Sequence, residues 1–296
     1  MLEELKTFIA VVEYKNFTKA ARSLNLSQPS VSMHIKNLEN LFGVILIDRS
    51  IKQKTIFITE SGNILYKRAK EVINLLNLTY QEVNHISDNI KGHLKVGASL
   101  TIGEYILPKF LSIFSEKYPD IEVEVFIENT SNVCSKLSNL VLDLGLIEGT
   151  ISSSKFNQGY FFEDKMVLAF PYKSDFTEEN FSFNSIQNQN WVSRESGSGT
   201  RESLNMFLSR NEIIPKHIMV FGSNFAVKEA VKNNLGITLI SNLIASPAHL
   251  NKELSVINLD DNYNRHFSYI LPKNITFSKV SEIFIDELIE YATKIN

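Results

Sequence analysis

The sequence predicts an α/β protein with a small helical module at its N-terminus, one long helix, and a larger two-lobed body. Three observations lead to this prediction. Two short helices joined by a tight corner are indicated within residues 20–39, and an apolar repeat with alternating steps of four and three follows over residues 65–90. From Gly92 onward, strand patterns alternate with helix patterns, which is typical of an α/β body.

The first of these segments has the features of a helix-turn-helix. A helix over residues 2–14 precedes it, and small Ala20 and Ala21 allow the helix of residues 18–24 to pack closely against a neighbour. Ser27 is a favourable N-cap and Pro29 suits a first helical turn, so a second helix begins here. Its predicted inward positions are Val31, Ile35, Leu38 and Leu41 or Phe42. The pattern indicates a recognition helix for the DNA major groove, with an ordinary helical hairpin as the alternative.

A basic hairpin is predicted after the second helix. Residues 45–50 and the alternating residues 55–59 have strand character, and lysines lie between them. We expect Arg49, Lys52 and Lys54 to contact phosphates without reading sequence, and Gln28 to read adenine. The predicted DNA-contacting residues are Ser27, Gln28, Pro29, Ser30, Ser32, Met33, Lys36, Arg49, Lys52 and Lys54.

Residues 1–62 resemble the winged helix-turn-helix of the LysR-type transcriptional regulators, and the similarity continues to the end of the chain. The matching N-terminal segments are Ala20-Ala21, Leu26-Ser27-Gln28-Pro29, Val31-Ser32, Leu38-Glu39, Ile47-Asp48-Arg49 and Thr59-Glu60-Ser61-Gly62. The resemblance implies a ligand-responsive regulator that assembles as a dimer of dimers, a homotetramer. Met33 departs from the family pattern, since many members have a basic residue there, and apolar base contacts are expected instead.

A long linker helix is predicted over residues 63–91. Its inward set is Leu65, Ala69, Val72, Leu76, Thr79, Val83, Ile86 and Ile90. A period of 3.5 residues held this long is typical of a coiled coil. We therefore expect this helix to form a dimer, while a single amphipathic helix lying on a domain is the alternative.

The body from residue 92 to 296 is predicted to have a mostly parallel sheet in two lobes. Strands are expected at 94–98, 121–128, 143–147, 166–170, 191–192, 217–221, 237–240 and 267–271, and helices near 105–118, 133–141, 201–209, 225–233 and 280–293. Crossovers near 161–163 and 265–267 divide the first lobe (92–162 and 267–296) from the second (163–266). The LysR resemblance implies this periplasmic-binding-protein-like layout. The segments 143–149 and 191–201 look like the branch that includes sulfur-assimilation and carbon-fixation regulators.

An effector site is predicted where the strand ends of the two lobes face each other. Ser99 and Thr101 follow a strand and open a helix, as do Ser198 and Thr200 in the second lobe. In open α/β sheets ligands bind beyond the carboxyl ends of strands, and helix N-termini favour anions. The predicted effector-binding residues are Ser99, Thr101, Asn129, Thr130, Glu148, Ser198, Thr200 and Ser223. The resemblance implies the same pocket at Ser99, Thr101, Thr130 and Thr200.

These residues predict a small anionic metabolite as the ligand. Glu148 is the exception within the set, because an inward-facing carboxylate repels an anion unless Arg194 or Arg201 compensates. The alternative for Glu148 is that it selects a ligand that also carries hydrogen-bond donors. For any single hydroxyl, simple helix capping is the competing interpretation.

Composition and motif spacing argue against other functional classes. The net charge is -3, yet residues 1–60 hold eight Lys or Arg against six Asp or Glu, which fits local phosphate contact. Cys134 is the single cysteine and is expected to be a small buried hydrophobe rather than a redox switch, and no leader or membrane span is indicated, so we expect a cytoplasmic protein. Gly197-Ser198-Gly199 lacks the flanking residues of a nucleophile elbow or phosphate loop. No enzyme activity, cofactor or metal is expected; a cytoplasmic solute-binding sensor with an interaction-only N-terminal domain is the alternative function.

Overall fold

A computed structural model describes residues 1–49, 56–84, 90–149, 151, 154–174, 176, 179–273 and 276–295. The chain forms two compact units, residues 1–88 and 89–296, each with its own core. Within the described residues, no helix combines the length and the apolar character that crossing a membrane requires.

The first unit is a three-helix core with a two-stranded hairpin and one long helix. Asn16 caps the second helix and Ser27 caps the third, each through a side-chain oxygen that accepts a backbone N–H. Asn25 adopts a left-handed conformation (φ 53°) at the corner between them. The elements are α1 (Leu2–Tyr14), α2 (Phe17–Ser23), α3 (Gln28–Phe42), β1 (Ile47–Arg49), β2 (Ile56–Ile58) and α4 (Glu60–Asn84).

Apolar side chains at helical spacing form the core of this unit. Phe8 and Val11 of α1 meet Val31 and Ile35 of α3, and all four are fully buried. The expectation that Leu41 or Phe42 faces inward is wrong, because both are exposed. They lie in the last turn of α3, which extends beyond the core that Leu38 closes.

The apolar repeat of α4 is only partly used inside the unit. Ala69 is buried in the three-helix core, whereas Leu76 is 45% and Val83 is 64% exposed. The seam is therefore shorter than expected: Ile90 lies outside the helix and packs against the core of the second unit instead. Ile86 lies outside the described residues.

A mixed five-stranded sheet defines the first lobe of the second unit. β3 (Gly92–Ala98) pairs in parallel with both β4 (Ile121–Ile127) and β5 (Leu144–Glu148), whereas β12 (Arg265–Pro272) runs antiparallel to β5 and β6 (Phe156–Asp164). Its apolar core lies against α5 and α10 and includes Phe110, Phe114 and Phe284, whose rings contact one another. The elements are β3 (Gly92–Ala98), a π-helical turn (Ile102–Ile106), α5 (Leu107–Lys117), β4 (Ile121–Ile127), α6 (Thr130–Ser138), β5 (Leu144–Glu148), β6 (Phe156–Asp164), β12 (Arg265–Pro272) and α10 (Lys279–Ile295).

The second lobe contains a three-stranded and a two-stranded sheet. β7 pairs antiparallel with β10 and β11, while β8 and β9 are parallel. Trp191, the only tryptophan of the chain, is fully buried beside Phe207, and its Nε1 has no hydrogen-bond partner among the described residues. The elements are β7 (Met166–Pro171), β8 (Asn190–Arg194), α7 (Gly199–Arg210), β9 (His217–Phe221), α8 (Asn224–Lys232), β10 (Thr238–Ser241), α9 (Asn242–Leu250) and β11 (Leu254–Asn258).

The expectation of a mostly parallel sheet in the second unit needs correction. The sheets are mixed rather than mostly parallel, because the chain returns through β6, β11 and β12 in antiparallel pairings. β6, α9 and β11 are elements that the sequence patterns do not predict. The two connections between the lobes run side by side, since Arg265 at the start of β12 pairs with Asp164 at the end of β6.

Candidate functional site

The outer face of α3 is an exposed, mostly polar surface. Gln28, Pro29, Met33 and Lys36 are exposed, Met33 to 56%, and Ser32 is half-buried. Gln28 Nε2 donates to Ser32 Oγ over 3.3 Å, so the two side chains lie side by side. At the N-terminus of α3, the hydroxyl of Ser30 lies 2.7 Å from that of the N-cap residue Ser27. Ser27 and Ser30 are thus engaged in starting the helix.

Side-chain bonds from two directions fix the orientation of α3. Thr7 Oγ1 of α1 lies 2.8 Å from His34 Nδ1, and Asn37 Nδ2 donates to Glu4 Oε1 over 2.9 Å. Glu39 Oε1 accepts the backbone N–H groups of Leu46 and Ile47, at 2.9 and 3.2 Å. The hairpin of β1 and β2 is therefore connected directly to α3. Of the expected phosphate contacts, Lys52, Lys54 and the side chain of Arg49 lie outside the described residues.

The two lobes of the second unit meet at the segment before α7. Gly197 has a left-handed backbone (φ 86°), and its carbonyl accepts the N–H of Ser131 over 3.1 Å. At Gly199, an added Cβ would lie 2.6 Å from Cβ of Glu148, so only glycine permits this approach. The Gly197-Ser198-Gly199 motif therefore serves close contact between the lobes.

Glu148 is at the centre of a buried polar cluster at this contact. Its Oε1 accepts the backbone N–H of Thr101 (3.0 Å), and its Oε2 accepts the Thr200 hydroxyl (3.0 Å). Arg265 Nη1 donates to the same Oε2 (2.7 Å) and to Thr200 Oγ1 (3.0 Å). With Glu148 only 3% exposed, the carboxylate joins groups of both lobes away from solvent.

A second carboxylate shares the arginine. Arg265 Nε donates to Asp164 Oδ2 (2.7 Å), and Ser241 Oγ donates to Asp164 Oδ1 (2.5 Å). Burial raises the pKa of Asp164, and Arg265 only partly offsets this. Burial also acts to raise the pKa of Glu148, but Arg265 and the hydrogen bonds from Thr101 and Thr200 outweigh it, so that pKa lies below its usual value. Glu148 is therefore the more firmly charged member.

Arg194 and Arg201 do not compensate Glu148, contrary to the sequence-based alternative. The buried Arg194 is paired with Glu195 through two bonds of 2.8 Å, and its Nη1 donates to Asn224 Oδ1 (2.7 Å). Arg201 Nε donates to Asn205 Oδ1 (3.1 Å). Arg265 takes the compensating position because it starts β12, beside the end of β5 where Glu148 lies.

Hydrogen bonds connect the Arg194–Glu195 pair to the first lobe. Asn224 Nδ2 donates to Thr101 Oγ1 (3.2 Å), and Asn129 Nδ2 donates to Glu195 Oε1 (3.2 Å). Thr101 Oγ1 also accepts Arg265 Nη2 (3.3 Å). The hydroxyl and the N–H of Thr101 are thus both engaged by protein groups.

The expected effector-binding residues fall into three groups. Thr101, Thr200 and Glu148 come together as described. Asn129 and Ser223 cap α6 and α8, where their side chains accept backbone N–H groups, and Ser198 is the buried N-cap residue of α7. Ser99 and Thr130 remain, and their buried hydroxyls have no hydrogen-bond partner within the described part of the chain. Both follow neighbouring parallel strands, β3 and β4.

Sequence reasoning did not identify Arg265, Asp164, Asn224 or Ser241 as site residues. Arg265 and Asp164 lie at the two lobe connections, and an arginine at such a crossover is the only available signal. In the ranges that the structure describes, no three His, Cys, Asp or Glu residues are grouped to hold a metal ion.

Family models match both units. The model described as "Bacterial regulatory helix-turn-helix protein, lysR family" matches residues 2–63, and the model described as "LysR substrate binding domain" matches residues 87–293. The HTH-type transcriptional regulator CysL of Bacillus subtilis (strain 168) is 42% identical over 286 residues, covering 96% of this chain and 95% of that protein.

Solved structures of similar fold include full-length and single-domain proteins. A full-length OxyR variant from Pseudomonas aeruginosa has a TM-score of 0.79 at 18% identity, covering 97% of this chain and 94% of that one. The regulatory domain of CcmR from Synechocystis PCC6803, in complex with 2-PG, has a TM-score of 0.64 at 22% identity and covers 69% of this chain and 99% of that one. At these identities the likeness shows the fold.

Proposed function

This chain belongs to the LysR family of transcriptional regulators and combines a helix-turn-helix with an effector-binding domain; from that premise, we propose that α3 binds operator DNA and that a small anionic metabolite between the lobes controls the binding. The observation that carries the proposal is the match of both family models in the order expected for such a regulator. The relatives carry the names of regulators, so we propose a regulatory rather than a catalytic role, exercised in the cytoplasm beside the DNA.

For DNA recognition, we assign the reading of bases to the exposed face of α3. We propose that Gln28, Ser32 and Met33, which lie on this face, meet base edges in the major groove and that Lys36 meets an adjacent phosphate. The basic residues of the predicted wing, Arg49, Lys52 and Lys54, are proposed as further phosphate contacts from the sequence alone.

For assembly, we propose a dimer through α4, and a tetramer built from two dimers. Within its own unit, the α4 repeat has Ala69 buried and Leu65 half-buried, whereas Val72, Leu76 and Val83 are exposed at heptad spacing. Apolar side chains in such a stripe favour a partner helix of the same kind. Two heads would then reach two half-sites of one operator.

For effector binding, we propose the region between the lobes, within the proposed domain 92–296 that follows the module 1–62 and the linker 63–91. Among the described residues, the hydroxyls of Ser99 and Thr130 have no hydrogen-bond partner, and we propose that they bind the ligand, because a buried hydroxyl without a hydrogen bond is costly. The 2-PG complex of the CcmR regulatory domain, a structural neighbour, is consistent with a small-molecule ligand here.

A two-stage experiment tests this function. Genomic fragments retained by the purified full-length chain would be sequenced, and the derived operator would then be used in titrations with a panel of small carboxylates, phosphates and uncharged metabolites. We expect one recurring two-half-site sequence and at least one anion that changes operator affinity. Retention of fragments without any common sequence would contradict DNA recognition, and a response only to uncharged compounds would contradict the anionic class.

A further inference from the structure

The donors around Glu148 form a site for an anion. They are the N–H of Thr101 just before the π-helical turn, the hydroxyl of Thr200 in the first turn of α7, and the guanidinium of Arg265. We call these three groups the anion seat. Helix N-termini and a guanidinium are the donors that proteins use for carboxylates, and here they converge from both lobes.

The seat is already full. The Glu148 carboxylate receives a hydrogen bond from each of the three groups, at 3.0, 3.0 and 2.7 Å. The close approach of Gly199 to Cβ of Glu148 leaves no room for a second group on that side. An effector carboxylate in the same place would have to expel a buried, charged side chain from its counterion.

We infer that Glu148 is an internal ligand, a carboxylate of the protein's own that occupies the anion seat and joins the lobes before any effector arrives. The inference rests on the proposed effector site between the lobes and specifies which of its residues bind the effector and which bind Glu148. The anionic group of an effector binds beside the seat, at Ser99 and Thr130. Thr101 and Thr200, which looked like effector ligands in the sequence, instead hold Glu148.

Chemical rescue tests this inference without any knowledge of the effector. Replacing Glu148→Ala in the full-length chain removes the atoms of one acetate molecule and leaves the donors of the seat in place. We expect the variant to melt at a lower temperature than wild type, and sodium acetate to restore about half or more of the loss in a saturable manner. Sodium chloride at equal ionic strength serves as the reference, because it screens charges equally but supplies no carboxylate.

Two further variants sharpen the result. Asp143→Ala removes a carboxylate that is half-buried, accepts the backbone N–H of Lys95 (2.8 Å) and pairs with no arginine among the described residues; acetate should not rescue it. Glu148→Gln keeps the seat filled by an uncharged side chain, so acetate should have no saturable effect there. If Glu148→Ala does not fold in chloride, its refolding yield in acetate compared with chloride gives the same readout.

The outcomes separate this inference from the proposed function. Acetate that stabilises wild type as much as Glu148→Ala would mean that Glu148 does not fill the seat, and absence of any rescue in Glu148→Ala would overturn the inference. Neither result depends on an effector or an operator, so the rescue is decided independently of whether a metabolite controls DNA binding.

Discussion

Ser99 and Thr130 should contribute to effector binding but not to the stability of the free protein. Their buried hydroxyls bond to no described group, so Ser99→Ala with Thr130→Val removes none of the hydrogen bonds seen among the described residues. We expect thermal stability to stay equal or rise slightly, and effector affinity to fall at least about tenfold. Calorimetric titration and melting curves on the same samples would measure both.

The matched control for that variant is Ser281→Ala. Ser281 is equally buried, but its N–H and hydroxyl bond to Ser278 at the start of α10. This change should lower stability and leave effector affinity as it is. If the Ser99 and Thr130 variant instead lost stability and kept its affinity, the two hydroxyls would have a structural role.

Cys134 should be an unreactive thiol. Burial raises its pKa from 9.0 to about 11, so at a given pH below 9 its thiolate fraction is about a hundredfold lower than that of a free cysteine. Because the folded state holds this proton more tightly than the unfolded state, the thiol costs stability only as pH rises from 9.0 toward about 11. Thiol-disulfide reagent kinetics at pH 8, native against urea-unfolded, would measure the protection; equal rates would contradict it.

The role of a single residue can be predicted from the sequence when its partners lie within a few positions of it. Ser27 and Pro29 act within one helical turn, and their roles as cap and first-turn residue are confirmed. Arg265 acts on Glu148, which lies 117 positions away, and no pattern of spacing connects the two. Sequence proximity to the expected pocket therefore points to Arg194 and Arg201 as the compensating charges, although Arg194 is paired with Glu195.

At the scale of elements, α3 should separate base reading from charge neutralisation. Gln28→Ala removes the partner of Ser32 and the proposed adenine contact, so we expect altered base preference at one position of each half-site. Lys36→Ala should weaken binding to all sequences alike and lower the slope of log affinity against log salt by about 1. Binding-site selection and salt titrations with the full-length chain would measure these effects. If Lys36→Ala changed the base preference instead, Lys36 would contact a base rather than a phosphate.

The exposed stripe of α4 should be an interface between two chains. A carboxylate at Leu76→Glu would be buried without a partner in a helix pair, and self-association should weaken at least about tenfold. Asn77→Glu places the same charge one position away, outside the stripe, and should leave assembly intact. Sedimentation would compare the variants. A wild-type monomer at micromolar concentration would contradict the interface, and operator affinity should fall together with the dimer.

Element ends could be predicted where a local signal marks them. α1 at Leu2–Tyr14 and β9 at His217–Phe221 have the bounds that the sequence indicated. The apolar period of α4 overestimates the seam, because Ile90 continues the spacing but packs against the core of the second unit, just before β3. Periodicity alone does not distinguish a helix from an apolar residue that packs elsewhere. The directions of the paired strands, which depend on long-range pairing, were likewise misjudged.

At the scale of the whole molecule, the two units should unfold separately. Glu39 ties α3 to the hairpin through two backbone N–H groups, so Glu39→Ala should lower the unfolding free energy of the first unit by about 1–3 kcal/mol. Glu39→Gln keeps an acceptor oxygen and should lose less. Scanning calorimetry of the intact chain should show one transition move and the other stay. Both transitions moving by equal amounts would mean that the units unfold as one.

The burial of Trp191 gives this protein an optical label in one place. The chain has a single tryptophan, and it lies in the apolar core of the second lobe beside Phe207. Its indole emission therefore originates from that lobe alone, while the helix-turn-helix contributes no tryptophan signal. A spectral shift on adding a metabolite thus reports on the effector-binding half of the molecule. Operator binding can be followed separately through a dye on the DNA. Effector binding and operator binding can thus be measured in the same sample at different wavelengths.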